Sequence, residues 1–187
     1  LHGSEHSFPT RRSSDLGQKE VITSLEEGHD AIAILPTGNG KSFIYQYIGI
    51  KEKCRVVIVS PLIALMVDQV ASLKQLGIHR VVAITSLMSE SEKNYILSTL
   101  NEYQFIFVSP EMLQAPRFFK QLSKLEIGLL VVDEAHCISQ WGYDFRSDYL
   151  FIGKMRKSLG SPRTLALTAT ATTQVIHDIY TFLGLNK

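Results

Sequence analysis

Leu129-Leu130-Val131-Val132-Asp133-Glu134-Ala135-His136-Cys137-Ile138-Ser139-Gln140-Trp141-Gly142-Tyr143-Asp144-Phe145-Arg146 is the stretch on which the reading of this chain turns. Four consecutive apolar residues, 129–132, predict a strand buried on both faces, as in a parallel sheet covered by helices. Asp133 and Glu134 fall where that strand ends. In an open α/β sheet, ligands bind outside the carboxyl ends of the strands. Adjacent acids there divide the labour: one holds a metal ion, usually through water, and the other orients or deprotonates an attacking water. The residues that follow interleave Trp141, Tyr143 and Phe145 with Gln140, Asp144 and Arg146. Held out in solvent, such rings suit base stacking and cation–π contacts. Folded back, they make a satellite core. Composition leaves both readings open.

An acid pair of this kind needs a phosphate site, and one lies upstream. The apolar run 31–35 leads into Pro36-Thr37-Gly38-Asn39-Gly40-Lys41-Ser42, and the apolar-periodic stretch 43–50 follows. The pattern is strand, glycine loop, helix. Gly38 and Gly40 let the backbone curl so that its amides, with those of Thr37 and Asn39, face a phosphate, and the helix N-terminus adds a favourable dipole. Lys41 reaches the β- and γ-phosphates and Ser42 ligates Mg²⁺. Leu35 stands where the full phosphate-loop pattern has its first glycine.

The two stretches together resemble superfamily 2 helicases, which carry Pro-Thr-Gly-x-Gly-Lys-Ser and Asp-Glu-Ala-His. The extension through Cys137-Ile138-Ser139-Gln140-Trp141-Gly142 and Asp144-Phe145-Arg146 resembles the aromatic-rich loop of RecQ-type DNA helicases. The resemblance implies a RecA-like P-loop domain that binds ATP and Mg²⁺, with Lys41, Asp133 and Glu134 catalytic and Ser42 and Asp133 on the metal. It also implies that His136 couples to Thr168 and Thr170, and that Gln140, Trp141, Phe145 and Arg146 sense single-stranded DNA.

The composition is that of an ordinary globular chain. Of 187 residues, 45% are hydrophobic and 20% charged, and the net charge is +1. Contact with nucleic acid must therefore come from local placement rather than overall field. Cys54 and Cys137 make no disulfide framework and suit a reducing, intracellular compartment. A zinc site on Asp133, His136 and Cys137 lacks a second ligand cluster. No apolar run reaches membrane-span length, so no membrane partner is expected. Phe8-Pro9-Thr10-Arg11-Arg12-Ser13-Ser14-Asp15-Leu16 back-translates as TTC CCT ACA CGA CGC TCT TCC GAT CT, which resembles a sequencing-library adapter. Residues 1–16 are accordingly expected to be non-native and disordered, and the domain to run from 17 to 187.

Further strands are expected at 55–60, 80–84, 104–108, 127–132 and 164–167. Helices are expected at 17–27, 62–76 (opened by Pro61), 89–100, 117–125, 148–159 and 173–183. Strands alternating with helices predict an α/β fold, a mostly parallel sheet of about six strands with helices on both faces. By resemblance, Gln18 reads the adenine edge, although the Phe-Arg that precedes this glutamine in the family is absent. Pro61 and Gln69, in one family element, and Ser109 and Pro110, in another, touch the DNA backbone. Two departures stand out: Tyr143 replaces the usual His, and Ser147 the usual Pro.

The function implied is the ATP-binding first motor domain of a 3′–5′ DNA helicase acting on single-stranded and duplex DNA. A second RecA-like domain supplies the arginine finger, so this chain by itself is expected to be inactive. The alternatives are a nucleotide-dependent nucleic-acid-binding module without helicase activity and a superfamily 2 motor directed at RNA.

Overall fold

A computed structural model describes residues 9–186 apart from Thr37, Asn39 and Thr170, and describes side chains from Gly17 onward. Six short strands form one sheet: β1 (Ala31–Ile34), β2 (Val56–Val59), β3 (Val81–Ile84), β4 (Phe105–Val108), β5 (Leu129–Val132) and β6 (Thr164–Thr168). Their spatial order is β1-β6-β5-β2-β4-β3, and every neighbouring pair is parallel. The α/β expectation holds, and the sheet is wholly rather than mostly parallel.

The apolar strand runs are continuous because both faces are covered. Val57, Val59, Ile106, Val108, Leu130 and Val132 point into one core. Alternate residues Val56, Ile58, Phe105, Phe107, Leu129 and Val131 point into the other. The second core is closed by α1 (Pro9–Glu26), α2 (Gly40–Glu52) and α3 (Ile63–Gln75) through Leu25, Ile44, Ile48, Met66 and Leu73. The first is closed by α4 (Glu90–Ser98), α5 (Pro110–Leu113), α6 (Pro116–Leu122), α7 (Ile152–Ser158) and α8 (Thr173–Leu183).

Several element bounds differ from the sequence reading for identifiable reasons. Residues 9–16, expected to be disordered, are the first turns of α1. Pro9 suits the first helical position, and no glycine or proline follows until Gly17, so a helix nucleated downstream propagates back. Pro61 does not open α3. Leu62 is the N-cap in extended conformation, leaving Pro61 one residue outside. The expected helix at 148–159 begins as a 3₁₀ turn, Ser147–Phe151, before α7. A short helix at Pro110–Leu113 was not expected, and Pro116 starts α6 anew. Ser89 does cap α4, accepting from the Glu92 N–H at 3.2 Å.

A buried ion pair closes the amino-terminal end of the sheet. Arg156 and Asp30 lie 2.9 Å apart, with side chains only 4% and 3% exposed. Arg156 also donates to Thr164 Oγ1 at 2.7 Å and to the Gly184 carbonyl at 2.8 Å. Asp30 accepts from the Thr164 and Asn186 N–H groups. One arginine thus joins α7, β6, the start of β1 and the C-terminal turn. Removing one partner strands the other charge in the interior, so Arg156→Ala is expected to cost about 3–5 kcal/mol. Urea denaturation against the parent chain checks this.

Candidate active site

The carboxyl ends of the strands bring the predicted groups together. β1 leads through Pro36 to Gly38, whose φ of +142° is open to glycine alone at low cost. Helix α2 then starts at Gly40, placing Lys41 and Ser42 in its first turn. Lys41 is 9% exposed. It lines a cleft of about 330 Å³ with Ser42, Gln69, Asp133 and Glu134. Loop and acid pair, nearly a hundred positions apart in sequence, therefore share one cavity. Thr37 and Asn39 lie outside the described residues.

Asp133 is fixed from several sides. Its N–H donates to the Val59 carbonyl at 2.9 Å. Its own carbonyl accepts from the buried Tyr149 hydroxyl at 2.7 Å. Its Oδ1 accepts the Glu134 N–H at 2.9 Å. Glu134 adopts φ 51°, ψ 45°, the left-handed region. For a residue with a side chain this costs on the order of 1–3 kcal/mol and is characteristic of sites where geometry outranks stability. The turn swings the Glu134 carboxylate to 3.6 Å from His136 Nε2. His136 Nδ1 lies 2.8 Å from Thr168 Oγ1 at the end of β6. Burial holds His136 below its usual pKa, so the ring is neutral at pH 7. The facing carboxylate favours the tautomer with the proton on Nε2, and Thr168 then donates to Nδ1.

Burial, and then the Glu134 charge, push the Asp133 carboxyl up to about 6, while Lys41 and the Glu134 N–H pull it down. The native state thus holds this proton more tightly than the unfolded chain does. The stability it contributes is fully present below the ordinary carboxylate value and is lost as pH rises toward about 6. Asp133→Asn removes the titration. Its stability relative to the parent should therefore grow from pH 4.5 to 6.5 and then level off, as thermal melts at stepped pH will read.

The donor set suits Mg²⁺: a serine hydroxyl and a carboxylate are hard oxygen ligands beside a phosphate loop. A Zn²⁺ site is less well formed. His136, Cys137 and Asp144 offer atoms within 4.8 Å of one another. Cys137, however, is fully buried, and Asp144 faces Arg146 at 3.4 Å. Asp133 is not part of that group.

The aromatic loop projects outward. Trp141 is 75% exposed and Tyr143 74%, while Phe145 is 37% exposed. The satellite-core arrangement is thus absent for Trp141 and Tyr143. Tyr143 stacks on His136 with ring centroids 4.5 Å apart and planes at 19°. Gln140 and Arg146 flank these rings, Gln140 exposed and Arg146 half-buried, and Arg146 N–H closes the loop on the Cys137 carbonyl at 2.9 Å.

Other predicted residues fall in different places. Gln18 donates to the Gly40 carbonyl at 2.9 Å and so touches the phosphate loop itself. It lines a second cleft, of about 450 Å³, with Ser42 and Phe43. Gln69 accepts from Tyr45 at 3.3 Å and faces the cleft lined by Lys41. Ser109 and Pro110 are buried; Ser109 caps α5, accepting from the Met112 N–H at 3.4 Å, and Pro110 fills its first turn. Neither side chain is available at the surface. Thr168 is buried against His136, and Thr170 lies outside the described residues. Arg163 sits at the opposite end of the sheet, on Glu52 and the Gly128 carbonyl. Sequence reasoning overlooked Tyr149, which pins Asp133; a tyrosine sixteen residues downstream carries no local sign of that role.

Fold and site together define a P-loop motor domain. The chain belongs to the DEAD/DEAH box helicase family, whose model matches residues 15–179. Its relatives include "Probable ATP-dependent DNA helicase RecS" of Bacillus subtilis, 47% identical over 169 residues, which are 90% of this chain and 34% of that one. "ATP-dependent DNA helicase Q5" of Rattus norvegicus is 40% identical over 91% of this chain and 18% of its own length. "ATP-dependent DNA helicase RecQ" of Haemophilus influenzae is 38% identical over 91% of this chain and 28% of its own. The RecQ-type resemblance is thus borne out, and the chain spans about a third or less of these relatives. Among solved structures, the Pyrococcus furiosus Hef helicase domain matches with a TM-score of 0.71 at 22% identity, covering 91% of this chain and 36% of that one. The helicase MrfA bound to DNA and AMPPNP matches at 0.69 and 17% identity, over 90% of this chain and 26% of that one. At these identities the structural likeness shows the fold. No helix among the described residues is long and apolar enough to cross a membrane.

Proposed function

We propose that this chain is the first motor domain of a RecQ-like 3′–5′ DNA helicase, coupling Mg²⁺–ATP hydrolysis to movement on single-stranded DNA and to duplex unwinding. One observation carries the reading: Lys41 and the Asp133–Glu134 pair line the same cleft at the carboxyl edge of a parallel sheet. The loop amides and Lys41 hold the phosphates, and Gln18 reads the adenine edge from the adjoining cleft. Ser42 and Asp133 hold Mg²⁺, which neutralises charge on the phosphates when bound. Glu134 orients and deprotonates the attacking water. His136, between Glu134 and Thr168, relays the state of the aromatic loop to that base. Trp141, Phe145 and Arg146 meet single-stranded DNA, the rings by stacking and the guanidinium by charge. A second RecA-like domain supplies the cation on the far side of the γ-phosphate. Residues 1–16 we read as adapter-derived; the support is the codon match, and sequencing of the source locus tests it.

The experiment is a thermal melt with Mg²⁺–ATP. A ligand at about 100 times its Kd stabilises the native state by roughly 2.7 kcal/mol. For a chain of this size that raises Tm by about 5–10 °C. Lys41→Ala should abolish the shift. An equal shift in both proteins would place the phosphates elsewhere.

A further inference from the structure

The aromatic loop leaves the body of the domain at Ser139, a residue with no exposed surface. Its hydroxyl donates to Asp178 Oδ2 at 2.6 Å and accepts the Trp141 N–H at 3.1 Å. Asp178, only 8% exposed, lies in the middle of α8 and receives a second bond from Gln174 at 3.0 Å. No cation faces it among the described residues. The O–H···O separation is at the short end of the range for a hydroxyl donating to a carboxyl oxygen. An unpaired buried carboxylate is a poor way to stabilise a fold, and an apolar pair of the same volume would serve as well or better. The arrangement does what an apolar pair would not: it fixes the direction of one hydroxyl, and through it the backbone amide of Trp141.

Helix α8 is also the element entered directly from the segment that follows β6. Thr172 caps it, accepting from the Val175 N–H at 3.3 Å. Thr172, Ala171 and Val175 face Trp141 and Tyr143 across a slot of about 310 Å³. The loop, through Asp178, and Thr172, through its cap, are therefore mounted on one helix.

We propose that Asp178, acting through Ser139, is a positioning residue that holds the Trp141 loop in register with α8, so that the loop moves as one body with the start of α8 at Thr172. The proposal rests on the reading of the loop as the DNA-sensing element, and the test separates the two. Trp141 is the single tryptophan of the chain, so its fluorescence reports the loop without a label. Ser139→Ala deletes one oxygen and should fold; circular dichroism and the melt check this. Time-resolved anisotropy of Trp141 should show a larger fast component in Ser139→Ala and in Asp178→Ala. Asp178→Asn, which keeps an acceptor for Ser139, should lie between these and the parent. The double variant Ser139→Ala/Asp178→Ala should match either single one, because the two residues act as a unit.

Quenching of Trp141 by oligothymidylate should weaken about three- to tenfold in Ser139→Ala, since binding must then order a loose segment. Unchanged anisotropy in folded Ser139→Ala would overturn the proposal. So would additive effects in the double variant. An anisotropy change in a chain whose Trp141 never responds to oligothymidylate would keep the mount and sink the DNA-sensing reading instead.

Discussion

Replacing Glu134 by glutamine is expected to leave ATP binding near the parent value and to lower hydrolysis about 10²–10⁴-fold, the usual worth of a positioned general base. The rate is to be read in a polypeptide joining this chain to a second motor domain, where the parent turns over fast enough to measure a loss. Glu134 sits at φ 51° two residues beyond Val132, the strand end, although an αR or extended residue there would be cheaper. That conformation turns its carboxylate into the cleft and toward His136 while Asp133 stays fastened by Tyr149 and by its bond to the Glu134 N–H. Glutamine keeps the shape and the left-handed turn and removes only the basicity. Lys41 and Asp133 are untouched, so the ATP-induced melting shift should persist. A variant that lost binding and hydrolysis together would show that Glu134 holds ligand rather than water.

How much of this was legible in the chain depends on the distance over which each fact is decided. The six strands were readable because each is an apolar run buried on both faces, and α8 was readable to the residue because Thr172 and Gly184 mark its ends. The phosphate loop and the acid pair were legible as local patterns whose residue types have few other uses at that spacing. That Ser109 and Pro110 are buried was not legible, because a strand-to-helix turn looks the same in sequence whether its side chains face solvent or a core. The 3₁₀ stretch Ser147–Phe151 reads as helix, since the two share their local preferences and Tyr149 is held there by a partner sixteen residues away. Nothing local announces the positive φ of Glu134. The Arg156–Asp30 pair and the Ser139–Asp178 bond join residues 126 and 39 positions apart. Such partners become visible only once the sheet order sets which loops meet.

The largest expected effect belongs to the proposed second motor domain. On the proposed reading, Lys41, Ser42, Asp133 and Glu134 supply one side of the site. Phosphoryl transfer also needs a cation opposite them, and an arginine in that place is worth about 10³–10⁵ in rate. Three arginines among the described residues are committed elsewhere. Arg163 is at the other end of the sheet on Glu52, Arg156 is buried on Asp30, and Arg146 pairs with Asp144 in the aromatic loop. The 187-residue chain should therefore bind ATP and turn it over at least about a thousandfold more slowly than the two-domain polypeptide, with or without single-stranded DNA. Steady-state ATPase rates of the two, each measured with and without oligothymidylate, put the account to its most direct test. The account predicts DNA-stimulated hydrolysis only in the two-domain polypeptide, abolished there by Glu134→Gln. A DNA-stimulated rate in this chain alone that matches the longer polypeptide would contradict it.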